Sequence, residues 1–293
     1  MLERKRKLDC ANGREKADLV LKNGNVLNVF TEEVLKADVA ICGDTIVGVG
    51  EYDGKEEIDC TGKYLVPGFI DAHMHIESCM AAPGELAKVL AKAGTTTIIA
   101  DPHEIVNVSG TKGMDYFLKC AAKLLVNVFF MVPSAVPATD VETNGCGEFL
   151  ASDMMKYVDN ARVLGLGETM RFMECCEGEK RMADKLELFA KKHIDGHAPG
   201  IRGKEVQAYR LAGVENDHEC STAEEVLDKL RAGLHIYVRE AKDGYDVFVD
   251  LPGFKKEDVK LDLQNGYLTI TANRSEDLDE KDNEGRYIRQ ERC

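Results

Sequence analysis

The alternation of apolar and polar positions divides the chain into three stretches. Residues 17–64 carry short apolar runs separated by turn-forming residues, as in ADLVLKNGNVLNVF (17–30) and ADVAICGDTIVGVG (37–50). The Asn-Gly pair in the first run and the Gly-Asp pair in the second predict tight turns between strands. This stretch therefore predicts the hairpins of a small β-sheet domain. The basic residues 1–16 before it predict a solvated, partly helical arm.

In the second stretch, residues 65–240, apolar strands alternate with helical patterns. One helix is expected to open at Ser109 and another at a Ser/Thr cap near residue 222. The seven predicted strands are LVPGFIDAH (65–73), TTTIIADP (95–102), VNVFFMVP (126–133), RVLGLGE (162–168), HIDGHAP (193–199), VENDHE (214–219) and LHIYVRE (234–240). Strands alternating with helices are typical of a (β/α) barrel, and a complete barrel has eight strands.

From Ala241 the pattern becomes β-type. The runs YDVFVDL (245–251), VKLDLQ (259–264) and YLTITANR (267–274) are separated by turn signals and not by helices. We therefore expect these runs to pair antiparallel with one another instead of completing the barrel. The predicted fold class is α/β, an incomplete (β/α)8 barrel with a small N-terminal β domain and a partial all-β, sandwich-like C-terminal segment. The predicted domains are 1–64, 65–240 and 241–293.

Composition narrows the possible partners and the compartment. The net charge of −14 argues against binding to nucleic acid, whose phosphates favour a basic surface. No apolar run approaches the roughly 20 residues that cross a membrane, and the basic N-terminus lacks the apolar core of a secretory signal. The ten cysteines show no C-x-x-C spacing, which favours reduced thiols in a cytoplasmic protein.

Histidines and carboxylates recur at the predicted strand ends, where barrel enzymes hold their chemistry. FIDAHMHIES (69–78) places two histidines on one face of a strand end, where two imidazoles can share a metal ion. The polar residues at the strand ends are His73, His75, Asp101, His103, Glu104, Ser134, Glu168, His197, Asp217, His218 and Glu219. Hydrogen-bonded loop residues are one interpretation. Their repeated placement favours the other, a metal site, whereas His193 and His235 lie elsewhere and are expected to be structural.

Four histidines and one carboxylate are enough to hold two divalent ions. An anionic ligand between two cations lowers their repulsion, and Glu168 is placed to bridge them. Two such ions generate a nucleophile from water at neutral pH. The sequence therefore predicts half of a metal site in FIDAHMHIES and the other half in the later strand ends.

These motifs together resemble the adenine deaminase family of the amidohydrolase superfamily over residues 17–240. The motifs are GFIDAHMHIES (68–78), DPHEIVNV (101–108), PSAVPAT (133–139), GLGE (165–168), DGHAPG (195–200) and ENDHE (215–219). The resemblance implies a binuclear manganese or iron centre and hydrolytic deamination of adenine to hypoxanthine and ammonia in purine salvage.

The resemblance also implies roles for individual residues. His73 and His75 would bind the first metal ion, and His197 and His218 the second. Glu168 would bridge the two ions, in the position where many relatives use a modified lysine. The residues expected near the substrate or in proton transfer are His103, Glu104 and Glu219.

The family's barrel continues into an eighth strand, whose aspartate binds metal and shuttles the proton. That strand does not follow residue 240 in this sequence. We therefore expect this polypeptide to deaminate adenine very poorly.

The third stretch resembles a different family. VFVDLPGFKKEDVKLDLQNGYLTITANR (247–274) and GRYIRQER (285–292) are similar to the first half of the α-crystallin domain of Hsp20-type small heat shock proteins. The resemblance implies a β-sandwich that dimerises and holds unfolding clients, so a homo-oligomer is expected. The alternative function is a chaperone or oligomerisation module with a non-catalytic barrel. The join near residues 239–241 is either a gene fusion or an assembly error, which one continuous DNA read would decide.

Overall fold

The structure, a computed structural model, describes residues 2–237 and, beyond them, the strand residues 240–241, 244–245, 259–264, 267–272, 278–281 and 287–291. The chain separates into two compact units, Met1–Ile236 and Tyr237–Cys293. Each unit is described by itself.

The first unit opens with a small mixed sheet. Its strands are β1 (Ala17–Asn28), β2 (Glu33–Cys42), β3 (Thr45–Gly50), β4 (Gly54–Asp59) and β5 (Tyr64–Leu65). β2 pairs antiparallel with β1 and β3, whereas β4 and β5 lie parallel to β1. The predicted turn at Gly43-Asp44 joins β2 to β3, with Gly43 at a φ of 62°. A positive φ suits glycine because it has no Cβ.

The predicted Asn-Gly turn at residues 23–24 is wrong. β1 runs through both residues, and a bulge lies between Leu21 and Gly24. Asn23 has a φ of 61°, and its N–H donates to Asp38 Oδ1 on β2 at 2.9 Å. The bulge absorbs the turn-forming residues because cross-strand bonds hold the chain extended on either side. The chain reverses later, at residues 29–32, where Glu32 has a φ of 59°.

The basic N-terminus forms helix α1 (Leu2–Ala11). The helical part of the prediction is confirmed, but the helix packs on the sheet and is not a free arm. Cys10 is fully buried. Arg6 forms an ion pair with Asp18, and Lys7 Nζ lies 2.8 Å from Asp44 Oδ1. An apolar contact and two ion pairs therefore hold α1 against the sheet.

Seven parallel strands follow, as predicted, and they form an incomplete (β/α) barrel. β6 to β10 form one sheet in chain order, and β11 pairs parallel with β12. Glu215 N, at the start of β11, donates to Ile194 O of β10 at 3.0 Å. The strands are β6 (Phe69–Met74), β7 (Thr95–Ala100), β8 (Asn127–Val132), β9 (Val163–Thr169), β10 (His193–Gly196), β11 (Asn216–Asp217) and β12 (His235–Ile236).

Helices connect these strands on the outside. They are α2 (Pro83–Lys92), α3 (His103–Ser109), α4 (Thr111–Ala121), α5 (Ala151–Met154), α6 (Phe172–Glu177), α7 (Lys180–Leu188), α8 (Lys204–Leu211) and α9 (Ala223–Arg231). α9 begins at the predicted Ser/Thr cap, since Thr222 Oγ1 accepts from Glu225 N at 3.2 Å. No helix in the described part of the chain is both long and apolar enough to cross a membrane.

The helix predicted to open at Ser109 begins two residues later, and a separate helix, α3, precedes it. Ser109 ends α3, where its hydroxyl donates to Ile105 O at 2.8 Å. Gly110, with a φ of 58°, breaks the chain before α4 begins at Thr111. A serine can satisfy a carbonyl within its own helix as well as cap the next one, so its type alone does not tell a helix end from a start.

Apolar residues between the strands and the helices form one core. Fully buried examples include Phe130 on β8, Leu166 on β9 and Val206 on α8. Each such side chain stabilises the fold by about 1.5–3 kcal/mol relative to an exposed one. Because the strands are parallel, their carboxyl ends meet at one rim, and the predicted site residues follow them there.

The second unit contains β-hairpins. β15 (Val259–Gln264) pairs antiparallel with β16 (Tyr267–Ala272), as predicted for VKLDLQ and YLTITANR. β13 (Glu240–Ala241) pairs with β14 (Gly244–Tyr245), and β17 (Leu278–Lys281) with β18 (Tyr287–Glu291). The rest of the predicted strand YDVFVDL, residues 246–251, lies outside the described residues.

Candidate metal centre

One buried carboxylate organises the rim of the barrel. Glu168, near the end of β9, is 2% exposed. Its Oε1 atom lies 3.0 Å from His73 Nε2 and 3.6 Å from His75 Nε2. The same oxygen lies 3.3 Å from His197 Nδ1 and 2.7 Å from His218 Nε2. The structure therefore brings together all five residues that the sequence assigned to metal.

The local backbone explains why the first two histidines reach the same carboxylate. His73 lies on β6 and His75 directly after it, so alternation along the strand turns both side chains toward the barrel interior. His75 Nδ1 lies 2.9 Å from the carbonyl oxygen of Asp101. A carbonyl can only accept, so this bond places the proton on Nδ1 and leaves Nε2 free to bind a metal ion.

Asp101 is a supporting residue to which the sequence reasoning assigned no role. It is fully buried at the end of β7, and its Oδ2 accepts from Glu168 N at 2.8 Å. Its Oδ1 lies 3.8 Å from His103 Nδ1. Asp101 thus contacts three residues of the site through its backbone and its side chain. The Asp-Pro pair that ends the strand was the available signal.

His103, expected near the substrate or in proton transfer, lies beside Glu168. It is the first residue of α3, and its Nδ1 is 3.4 Å from Glu168 Oε2. The possible ligand atoms lie within 4.8 Å of one another in three sets, and one set contains His103. The sets are His73, Glu168 and His218; His75, His103 and Glu168; and His197, His218 and Glu219.

The two glutamates expected near the substrate take different positions. Glu219 Oε1 lies 3.6 Å from His218 Nε2 and 3.9 Å from His197 Nδ1. Glu104 lies toward the other end of the site, where its Oε1 accepts from the Ser78 hydroxyl at 3.0 Å. Glu219 therefore belongs with the later histidines, and Glu104 with the β6 loop.

His193 and His235, expected to be structural, lie apart from the histidines gathered around Glu168. His193 begins β10, at the end of the strand opposite His197. It forms an ion pair with Glu215, and its Nε2 lies 2.8 Å from Asn216 Nδ2. His235 begins β12 and is exposed.

The electrostatics of the site suit cations. Burial by itself raises the pKa of Glu168, but the imidazoles of His197, His218, His73 and His75 lower it well below its usual range. Burial lowers the pKa of His75, but contact with Glu168 outweighs it and raises that pKa to about 9. Glu168 therefore stays ionised, and its negative charge favours the protonated form of His75.

The donor atoms present fit divalent metal ions. His73 Nε2 and His103 Nδ1 are buried and lie 3.0 and 3.4 Å from the Glu168 carboxylate without forming an aligned hydrogen bond. Buried polar atoms normally have a partner, so unpartnered nitrogens that face a shared carboxylate indicate a ligand. Imidazole nitrogens and carboxylate oxygens are ligands of zinc, iron and manganese.

Tyr209 supports the loop that carries His197, and it provides a test of the local packing. Tyr209 is fully buried on α8. Its hydroxyl accepts from His197 N at 3.0 Å and donates to Thr169 O at 3.1 Å. Tyr209→Phe leaves that N–H buried and unsatisfied, which is expected to lower the free energy of unfolding by about 1–3 kcal/mol. Urea unfolding measures the change. Tyr116→Phe, at a tyrosine 48% exposed, is the control. Equal effects of the two substitutions would contradict this role.

Sequence comparison finds curated proteins that are similar to most of this chain. The chain is 48% identical over 247 residues to an adenine deaminase of Desulfitobacterium hafniense, a match that covers 84% of this chain and 43% of that protein. It is 47% identical over 249 residues to an adenine deaminase of Clostridium acetobutylicum, covering 84% of this chain and 44% of the relative. The chain thus spans less than half the length of these curated relatives.

Solved structures show the same fold at low identity. A mutant of atrazine chlorohydrolase from Arthrobacter aurescens, solved with zinc and atraton, is 15% identical with a TM-score of 0.51, covering 74% of this chain and 64% of that one. N-acyl-D-glutamate deacylase from Bordetella bronchiseptica, solved with zinc and a phosphonate inhibitor, is 17% identical with a TM-score of 0.50, covering 76% and 58%. At these identities the likeness concerns the fold alone.

Two family models match the chain. The Hsp20/alpha crystallin family model matches residues 237–293, the stretch whose sequence resembles that family. The amidohydrolase family model matches residues 64–250, well over half the chain, and includes every histidine and carboxylate gathered around Glu168. Fold, site and sequence agree, and the chain belongs to the amidohydrolase family.

Proposed function

We propose that this chain catalyses the hydrolytic deamination of adenine to hypoxanthine and ammonia, a reaction of purine salvage. The observation that carries the proposal is Glu168, a buried carboxylate with four histidines within 3.6 Å of one of its oxygens. The adenine deaminases at 44–48% identity support adenine as the substrate. The reaction class is a hydrolase acting on a C–N bond of a cyclic amidine.

Two divalent ions, manganese or iron, are the proposed cofactors. His73 and His75 would hold one ion, His197 and His218 the other, and Glu168 both. When bound, such ions polarise water and the substrate, so that attack proceeds at neutral pH. The same geometry admits His103 as an additional ligand beside His75.

Proton transfer falls to residues at the edges of the carboxylate centre. The attacking water loses a proton, and the departing amine must gain one, so a base must later act as an acid. We assign this role to His103, Glu104 and Glu219. Glu219 Oε1 is 3.6 Å from His218 Nε2, which places this carboxylate beside the second pair of histidines, where it can exchange a proton with water or substrate. Glu104 Oε2 is buried without a hydrogen-bond partner among the described residues, so it can turn to a substrate.

The conversion of adenine to hypoxanthine tests this function. Purified protein is loaded with manganese or ferrous iron and supplied with adenine, and hypoxanthine is followed by chromatography. We expect slow turnover that a chelator stops and that fresh metal restores. Metal-loaded protein that forms no hypoxanthine above a metal-free control would refute the proposal.

A second candidate function rests on the Hsp20/alpha crystallin match to residues 237–293. In that case the tail would hold unfolding clients or assemble the chain into a homo-oligomer, with a non-catalytic barrel attached. Suppressed aggregation of a client protein by metal-free protein would favour it. The corresponding domains are 1–64, 65–240 and 241–293, and limited proteolysis near residue 240 would test the last boundary.

A cytoplasmic location is part of the proposal. The nine cysteines in the described part of the chain are all free thiols, Cys10 and Cys42 among them, although their sulfurs lie 3.6 Å apart. Disulfides are rare in reducing compartments, so free thiols at this spacing suit a cytoplasmic protein. Nucleic acid and membrane are not expected as partners.

A further inference from the structure

A fully buried lysine lies beneath the loops that carry the second pair of histidines. Lys229 on α9 has no exposed side-chain surface. Its Nζ lies 2.7 Å from Ala198 O, 2.7 Å from Glu225 Oε1 and 3.2 Å from Asp217 Oδ2. An ammonium group has three protons to donate, so these three oxygens use all of them.

The two carboxylates bound by Lys229 each reach both loops. Asp217 accepts from Ala198 N at 2.9 Å through Oδ2 and from Glu219 N at 2.7 Å through Oδ1. Ala198 follows His197 after β10, and Glu219 follows His218 after β11. One aspartate therefore joins the backbone next to one histidine to the backbone next to the other.

Glu225 joins the same two loops two residues further along each of them. Its Oε1 accepts from Gly200 N at 2.8 Å, and its Oε2 accepts from Ser221 N at 3.0 Å. Gly200 belongs to the loop after β10 and Ser221 to the loop after β11. Lys229, Asp217 and Glu225, which we call the lysine clamp, thus bind four backbone amides in two loops.

The clamp is a costly way to gain stability alone. Asp217 and Glu225 are 0% and 2% exposed, and charges taken out of water often stabilise a fold no better than well-packed apolar side chains. What the clamp supplies is geometry, because fixed charge-assisted bonds hold two loops at one separation. The imidazoles that those loops carry lie 3.3 and 2.7 Å from Glu168 Oε1.

We propose that the lysine clamp is a positioning device that holds His197 and His218 at the spacing required for the second metal ion. This inference rests on the proposed metal-dependent function. Lys229 acts through the backbone beside the ligands and touches neither the metal ions nor the substrate. The clamp binds the loops after β10 and β11 and not the segment that carries His73 and His75, so its loss is expected to affect mainly one of the two ions.

A charge-balanced double variant tests the clamp. Lys229→Met combined with Glu225→Gln removes one positive and one negative charge, so Asp217 remains as the one charged member and the net charge of the clamp is unchanged. Lys22→Met is the matched control. This control removes a partly buried lysine of the small sheet, whose Nζ lies 2.6 Å from Asp38 Oδ2. Thermal unfolding verifies that both variants fold.

Two measurements test the lysine clamp and the proposed function separately. In metal-free protein, hydrogen exchange at the amides of Ala198, Gly200 and Ser221 is expected to be faster in the double variant and unchanged in the control. In reconstituted protein, chelator competition gives the two stepwise Mn²⁺ dissociation constants. One of them is expected to weaken about 10–100-fold, as when supporting residues of other metal sites are changed, and the other to stay the same.

Each outcome bears on one idea. Unchanged exchange would overturn the clamp. Faster exchange with both Mn²⁺ constants unchanged would overturn its positioning role. A wild-type protein that binds no Mn²⁺ would instead refute the proposed function, and the exchange rates would still decide whether the clamp ties the two loops together.

Discussion

Replacing Glu168 with glutamine is expected to reduce bound manganese from about two ions per chain to almost none. Glu168 Oε1 lies within 3.6 Å of a nitrogen from each of four histidines, so both proposed ions depend on it. Glutamine keeps the shape of the side chain but loses its charge. Two cations held close together would then repel each other without an anion between them.

The measurement is metal content by mass spectrometry after reconstitution and desalting. Glu187→Gln is the control, because it removes a carboxylate from an exposed position on α7. The control is expected to keep both ions. Any deaminase activity is expected to fall at least about 10³-fold in Glu168→Gln, because the metal ions supply several kcal/mol to the reaction. A variant that retains two ions would show that Glu168 is not the bridge.

The second large effect concerns the rate of the chain itself. We expect a turnover number with adenine well below the usual range of about 1–10³ per second. Within the described residues, β6 and β12 do not pair with each other, so those residues by themselves do not close the barrel wall. Water entering there would weaken the electrostatic interactions at Glu168. Unpaired edges also favour aggregation.

The expected lack of the family's proton-shuttling aspartate has a larger predicted cost than an incomplete barrel wall. The family resemblance assigns a metal-binding, proton-shuttling aspartate to the strand after β12, where the Hsp20/alpha crystallin match begins at residue 237 and the amidohydrolase match ends at residue 250. Loss of a general acid–base group typically costs about 10²–10⁴-fold. Glu104 or Glu219 could replace it in part, so a severe loss is expected and not complete inactivity.

Steady-state kinetics with the manganese-loaded protein decide the matter. A turnover number within the usual enzyme range would show that the prediction is wrong. Some residue after β12 would then supply the carboxylate. Asp243, Asp246 and Asp250 are the first positions to replace with asparagine, and all three lie outside the described residues.

The sequence by itself determined the order of the barrel strands and the set of histidines and carboxylates proposed to bind metal. Both follow from local patterns. A strand such as β8 is apolar on both faces because helices and neighbouring strands bury it, and that pattern is visible in a single sequence. Because parallel strands end at one rim, the strand pattern alone was enough to place His73, His197 and His218 together.

Other features depended on contacts between distant residues. The Asn-Gly pair at residues 23–24 has the composition of a turn, yet it forms a bulge because Asp38 on the neighbouring strand accepts its amide proton. Ser109 has the composition of a helix start, yet it ends α3 because its hydroxyl donates to Ile105 O. Local composition allowed both alternatives in each case, and the packed structure selected one.

The supporting residues of the site were decided by tertiary structure alone. Asp101 contacts His75 and Glu168, and Lys229 contacts Asp217, only because strands and helices far apart in the chain pack together. The Asp-Pro pair places Asp101 at a strand end, but nothing in the sequence separates a buried aspartate or lysine from a solvated one. Its burial and its partners arise when the chain folds, whereas the type and spacing of the metal ligands are already present in the sequence.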